Sequence, residues 1–270
     1  MRSRRFRSNT DRVAPRGKEL LSNLKTLEDE SEIFTSKLLL DGQLGRRAPA
    51  MMERLGNGLS LLSLIGSCAW GCHNGTHLPE NLTRRFHNSI RSSIRLAYIG
   101  YYEDALALVR VAAEMANLIQ LFSLNDEEFQ RWIASSPNKR ISNYGGRAVR
   151  DKIEKMKAVP IVGKERYASL CEAGVHITPE SAKQSHDLEG TKVYVGPTPS
   201  PTPGFFVVLT EIVYLLGHCL PCITRLAQRD DKMALAETQK TELITTLPSF
   251  FNIRSYNKTL SYFRKKYSQT

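Results

Sequence analysis

Strand-forming runs are almost absent from this chain. Apart from "TKVYVG" at 191–196, no stretch reads as an extended segment between turn signals. That scarcity excludes sheet-based folds and predicts an all-α class: a helical bundle with at most one short hairpin, around residues 191–208. A glycine loop built to cradle phosphates, a Gly-x-Ser-x-Gly elbow and an HExxH helix are also missing, which removes kinase-, lipase- and zincin-like chemistry. Cysteine is sparse, five in 270 residues and odd in number, so no disulfide framework is expected and a reducing cytoplasm is. The most apolar runs, "LGNGLSLLSLIGSCAW" and "FFVVLTEIVYLLGHCL", fall short of the roughly 20 residues a membrane span needs. Glu211 and His218 interrupt the second. Both read as core helices of a soluble protein with no membrane partner, and "MRSRRFRSNTDRVAPRGK" has no apolar segment behind its charges to serve as a signal peptide.

What is present is charge at the two ends. The net charge is +11. Residues 1–18 carry seven basic residues and one acid, and residues 250–270 carry five basic residues and no acid, so the ends hold the whole excess. The body between them is neutral. Basic ends of this kind meet polyanions, or serve solubility alone. The expected organisation is a disordered basic tail over 1–18, a helical domain over 19–249 with a Pro-rich insert at 186–204, and a basic aromatic tail over 250–270, where Arg254, Lys258, Arg264, Lys265 and Lys266 are candidate nucleic-acid contacts.

Helical spacing recurs along the body. Leu20, Leu21, Leu24 and Leu27 open one helix, and further helices are predicted from Met51 to about Trp70 and, beginning at Pro79, over "PENLTRRFHNSIRSSIRLAYIG". Asn125, three residues before Glu128, reads as a helix N-cap. The run "SSPNKRISNYGGRA" reads as a loop, and the apolar helix beginning at Phe205 is expected to kink or break near Pro221.

Three constellations carry chemistry. In "RRFHNSIRSSIR", Arg84, His87, Arg91 and Arg95 share one side of a helix and Phe86, Ile90 and Ile94 the other. Guanidinium forks in a row suit a phosphate backbone, and the alternative is a solvated face. In "GYYEDALALVRVAAEMANLIQLF", Glu103, Arg110, Glu114 and Asn117 fall within a sector of roughly 60° on a helix otherwise apolar all round. Arg110 and Glu114 are either a structural pair or the floor of a groove. In "RYASLCEAGVHITPE", Glu172 and His176 lie four apart, and a histidine in the last turn of a helix has its cation favoured there. Soft metal ligands occur at Cys68, Cys72, His73 and His77 and again at His218, Cys219 and Cys222, but neither spacing suits zinc. Neither a metal nor another cofactor is expected.

The run "GYYEDALALVRVAAEM" with its Gly-aromatic turn, Arg110 and Glu114, followed by "YASLCEAGVH" at 167–176, resembles a group of bacterial HEPN-like helical proteins over residues 55–180. That superfamily is all-helical, often dimeric, tied to defence and toxin–antitoxin systems, and includes metal-independent endoribonucleases. The resemblance implies Arg110, Glu114 and His176 as catalytic residues at a shared groove, a homodimer, and an antitoxin-like protein partner. The nuclease signature of Arg, four to six residues, then His does not occur in this chain: nine residues separate Arg166 from His176. The leading expectation is a protein that binds RNA or another polyanion and carries the residues of a candidate endoribonuclease. Its alternative is a non-catalytic protein–protein or dimerisation module.

Overall fold

Apolar residues at helical spacing need a second helix to cover them, and here they are covered by one another. The structure is a computed structural model, and it describes residues 17–40, 47–68, 77–176, 196–198 and 203–250. Among these there are ten α-helices and a 3-10 turn at Asp230–Lys232, with no strand. They are α1 (Gly17–Leu40), α2 (Arg47–Ile65), α3 (Leu78–Tyr98), α4 (Tyr102–Leu124), α5 (Asp126–Ala134), α6 (Pro137–Tyr144), α7 (Gly146–Lys155), α8 (Lys164–Gly174), α9 (Pro203–Leu226) and α10 (Met233–Phe250). The all-α expectation holds. The extended run expected at 191–196, apart from Gly196, and most of the Pro-rich insert lie outside the described residues, whereas 203–208, expected in the hairpin, are the first turns of α9.

The most apolar helices, α4 and α9, lie side by side at the centre. Both are long and apolar enough to cross a membrane by length and composition alone, but 56% and 67% of their apolar windows are buried inside the protein, as in core helices. Helix α3 packs on both, α8, α7 and α5 cover α4, and α2 and α10 cover α9. Alanines at 105, 112, 113 and 116 are fully buried and let neighbours approach α4 closely. At Gly174, the last residue of α8, a Cβ would stand 2.7 Å from the Ala107 nitrogen, so the two helices touch backbone to backbone.

Two sequence expectations change. The run taken as a loop folds into α6: Pro137 occupies its first position, where a missing N–H costs nothing. Arg140 of that helix donates to the Trp132 and Ile133 carbonyls at the end of α5, at 2.9 and 2.7 Å, tying the two helices together. Helix α9 runs on through Pro221 to Leu226. An interior proline costs a helix about 3 kcal/mol; here Leu216, Cys219, Leu220 and Ile223 around it are all fully buried, and that burial outweighs the cost. The N-cap at Asn125 forms as predicted, its side chain accepting from the Glu128 N–H at 3.3 Å.

The turn from α3 to α4 depends on Gly100, whose φ is +91°. A Cβ there would lie 2.6 Å from the Thr198 carbonyl oxygen. Thr198 N–H donates to the Gly100 carbonyl at 3.0 Å, and the Ser31 hydroxyl of α1 lies 3.4 Å from both the Tyr98 and Thr198 carbonyls. Gly100→Ala therefore combines a strained backbone with a clash and is expected to destabilise the protein by about 1–3 kcal/mol. Urea unfolding checks this as a lower midpoint with an unchanged slope.

Candidate nucleic-acid interface

Helix α3 buries Phe86, Ile90, Ile94 and Ala97 against the core and turns its other side outward. On that outer side Arg84, Arg85, Arg91 and Arg95 are all exposed. At about 100° per residue, Arg84, Arg91 and Arg95 fall within roughly 40° of one another, a single row along the helix. Among the described residues, Arg84, Arg85 and Arg91 have no carboxylate partner within ion-pair distance, while Arg95 pairs with Glu32 of α1. His87 stands at the edge of the row, half-buried, its Nδ1 3.3 Å from Asn88 Oδ1. The structure brings the three predicted arginines onto one exposed face. Arg254, Lys258, Arg264, Lys265 and Lys266, like the basic residues up to Arg16, lie outside the described residues.

The polar stripe on α4 meets a different surface. Helix α8 runs antiparallel to it, with Tyr167 at Glu114, Cys171 at Arg110 and Gly174 against Leu106 and Ala107. The Arg110 guanidinium donates from Nη2 to Glu114 at 2.9 Å and to the Tyr167 hydroxyl at 2.6 Å, and from Nε to the Cys171 sulfur at 3.2 Å. Tyr167 in turn donates to Glu114 at 2.5 Å, and Arg150 of α7 lies over the Tyr167 ring, 4.8 Å from its centroid. Burial and then the bond to the Glu114 carboxylate push the Tyr167 hydroxyl up to about 12. Burial alone would lower Arg110, but the bonds to Tyr167 and Cys171 and the Glu114 charge outweigh it and raise it. The cluster is half-buried, with 27% and 37% of the Arg110 and Glu114 side chains exposed, and three of the five guanidinium donors are already used.

His176 does not join this cluster. It follows the end of α8, exposed, its backbone N–H on the Cys171 carbonyl at 2.8 Å, and its ring makes no hydrogen bond to a described residue. The antiparallel run of α8 carries it past Ala107 towards the Glu103 end of the stripe, about two turns from Glu114. Glu172 is exposed as well. The partners that Arg110 does have, Tyr167 and Cys171, were legible in principle, since they are four apart in "RYASLCEAG" and share one side of a helix.

A second charged cluster went unnoticed in the sequence. Glu128, 6% exposed, accepts from Lys152 at 2.6 Å, Arg131 at 3.0 Å and the Tyr144 hydroxyl at 3.0 Å. Burial would raise the Glu128 carboxyl, but Lys152, Tyr144 and Arg131 together hold it below the ordinary range. Burial and then the Glu128 bond push Tyr144 up to about 12. Of the soft-ligand positions, Cys68 Sγ lies 3.3 Å from His77 Nδ1, Cys219 is fully buried, and Cys72 and His73 lie outside the described residues. Among the described residues, no three His, Cys, Asp or Glu side chains converge as a metal would require.

Comparison of the chain with known protein families, with curated proteins and with solved structures gave no match.

The two raised tyrosines bear on alkaline stability. Each binds its proton more tightly folded than unfolded, so its contribution is complete below pH 10 and is lost as pH rises through about 12. Absorbance titration is expected to show two tyrosines ionising near 12, one removed by Tyr167→Phe and the other by Tyr144→Phe.

Proposed function

We propose that the protein binds RNA, or a polyanion of the same phosphate chemistry, on the outer face of α3. The observation that carries this reading is the row of Arg84, Arg91 and Arg95 on an exposed face whose helix holds one acid, Glu80, in its first turn. A surface helix held only by solvation alternates its charges, because like charges one or two turns apart repel. Here the repulsion along α3 is relieved at Arg95 by Glu32 and at no other arginine of the row among the described residues. Planar forks at this spacing each meet a phosphate oxygen pair, which fixes a chain along the helix without reading its bases.

Cleavage is the further step that the HEPN-like resemblance implies, and it requires Arg110 and His176 on one phosphate. Arg110 already serves Glu114, Tyr167 and Cys171, so binding is the part of the reading that the geometry favours. Chelator-insensitive cleavage of single-stranded RNA that disappears in His176→Ala would restore the enzyme reading.

Binding through phosphates is salt-dependent, because each contact releases counterions. The affinity of the full chain for RNA is expected to fall linearly on a log–log plot against salt. Reversing two exposed charges, with Arg84→Glu and Arg91→Glu together, should flatten that slope by roughly 1.5 units while leaving the thermal midpoint unchanged. An unaltered slope and affinity in the double variant would move the contact away from α3.

A further inference from the structure

A cleft of about 300 Å³ opens between α1 and α3, lined by Glu32, Arg91, Ile94, Arg95 and Tyr98. Its volume is at the low end for a ligand site, the scale of a single ring system with its substituents. The floor is apolar and aromatic. Ile94 is 7% exposed, and Tyr98 is held between an edge contact with Phe205, centroids 6.3 Å apart, and a hydroxyl 4.0 Å from the Met52 sulfur. The rim is cationic, and it is the same rim that forms the α3 arginine row. Glu32 is the exception: Oε1 takes Arg95 Nη1, and Oε2 has no partner among the described residues.

We infer that this cleft takes one unstacked base of a single-stranded nucleic acid whose flanking phosphates lie on Arg84 and Arg91, an inference that rests on the polyanion reading above. Tyr98 and Ile94, lining the cleft together with Arg91 and Arg95, offer a flat ring aromatic, apolar and cationic contacts. A duplex keeps its bases enclosed and offers none, so only a single strand, a loop or a bulge fills the cleft. The carboxylate distinguishes this occupant from an acidic peptide, whose own carboxylates Glu32 would repel. A base brings N–H donors instead, as the amino group of cytosine does to an acidic side chain. Guanine presents N1–H beside its 2-amino group, and cytosine an amino group beside a ring nitrogen; uracil offers one N–H flanked on both sides by carbonyl oxygens, which a carboxylate repels. Glu32 therefore selects against uracil.

The test uses the full chain and oligonucleotides of one length. A cytidine-rich single strand should bind roughly tenfold more tightly than the corresponding duplex at the same salt, and more tightly than a uridine-rich strand. Glu32→Gln should abolish the cytidine-over-uridine preference and keep or steepen the salt slope, because it frees Arg95, whereas a loss of folding would flatten it. A strand carrying 5-iodocytidine should cross-link to Tyr98 or to the 91–95 segment. Tighter binding of RNA than of DNA of the same sequence would identify RNA as the source of the base. Equal binding of duplex and single strand, an intact preference in Glu32→Gln, or cross-links elsewhere would overturn the cleft and leave phosphate binding on α3 standing. Displacement by polyglutamate as effective as by RNA would assign the cleft to an acidic protein. No binding of any nucleic acid would end both readings.

Discussion

The fold turns on a short buried piece of chain that has no secondary structure of its own. Residues 159–162 cross from α7 to α8 over the polar stripe of α4, and Pro160, Ile161 and Val162 are buried. Backbone N–H and C=O groups removed from water must find partners or cost about 1–3 kcal/mol each. The side chains of α4 and α9 supply them. Asn117 donates to the Val162 carbonyl at 2.9 Å and accepts from its N–H at 2.8 Å; Gln120 donates to Val159 and accepts from Ile161, both at 2.8 Å. Tyr214 of α9 donates to the Ile161 carbonyl at 2.8 Å, and Pro160 has no N–H to satisfy. The narrow stripe on an otherwise apolar helix is therefore not an open groove: at Asn117, with Gln120 beside it, the helix is a ladder for another segment's backbone, and Arg110 and Glu114 are taken by Tyr167 and Cys171.

That docking sets where α8 lies, and the position of α8 sets everything polar around it. Once Val162 is fixed, α8 starts two residues later and runs back along α4, which brings Tyr167 and Cys171 onto Arg110. On its other side Arg166 grips Glu211 of α9 at 2.7 and 3.0 Å, with its guanidinium 3.5 Å from the Tyr214 ring centroid. One helix thus closes the α4 stripe and links the two central helices. The arginine row of α3 stays exposed, on a face that takes no part in this docking. The half-buried polar contacts and the exposed arginine row occupy different helices, although in the sequence they differ only in which positions the charges take.

What could be read from the sequence was whatever depends on near neighbours. The outward row of Arg84, Arg91 and Arg95 follows from helical spacing alone, as does the Asn125 cap. The stripe of Arg110, Glu114 and Asn117 was visible too, but its meaning was not, because the groups it serves stand 45 residues or more further along the chain. Composition misled at α6, where Pro137 and two glycines suggested a loop although proline at the first position starts a helix. At Pro221 the helix does not break, because burial of the surrounding residues outweighs a local penalty. His176 looked suited to proton transfer from its place at a helix end, yet the direction in which α8 runs takes it away from Arg110, and only the tertiary path decides that.

Amide hydrogen exchange at Ile161 and Val162 tests the central claim most directly, because a segment held by side-chain ladders must protect its N–H groups without belonging to a helix. In the wild-type protein both amides should exchange as slowly as those in the middle of α4. In Asn117→Ala the Val162 amide should become fast while the amides of α3 and α9 keep their protection. Rapid exchange of Ile161 and Val162 in the wild type, or unchanged protection of Val162 without Asn117, would contradict the claim that the polar stripe of α4 holds this segment in place.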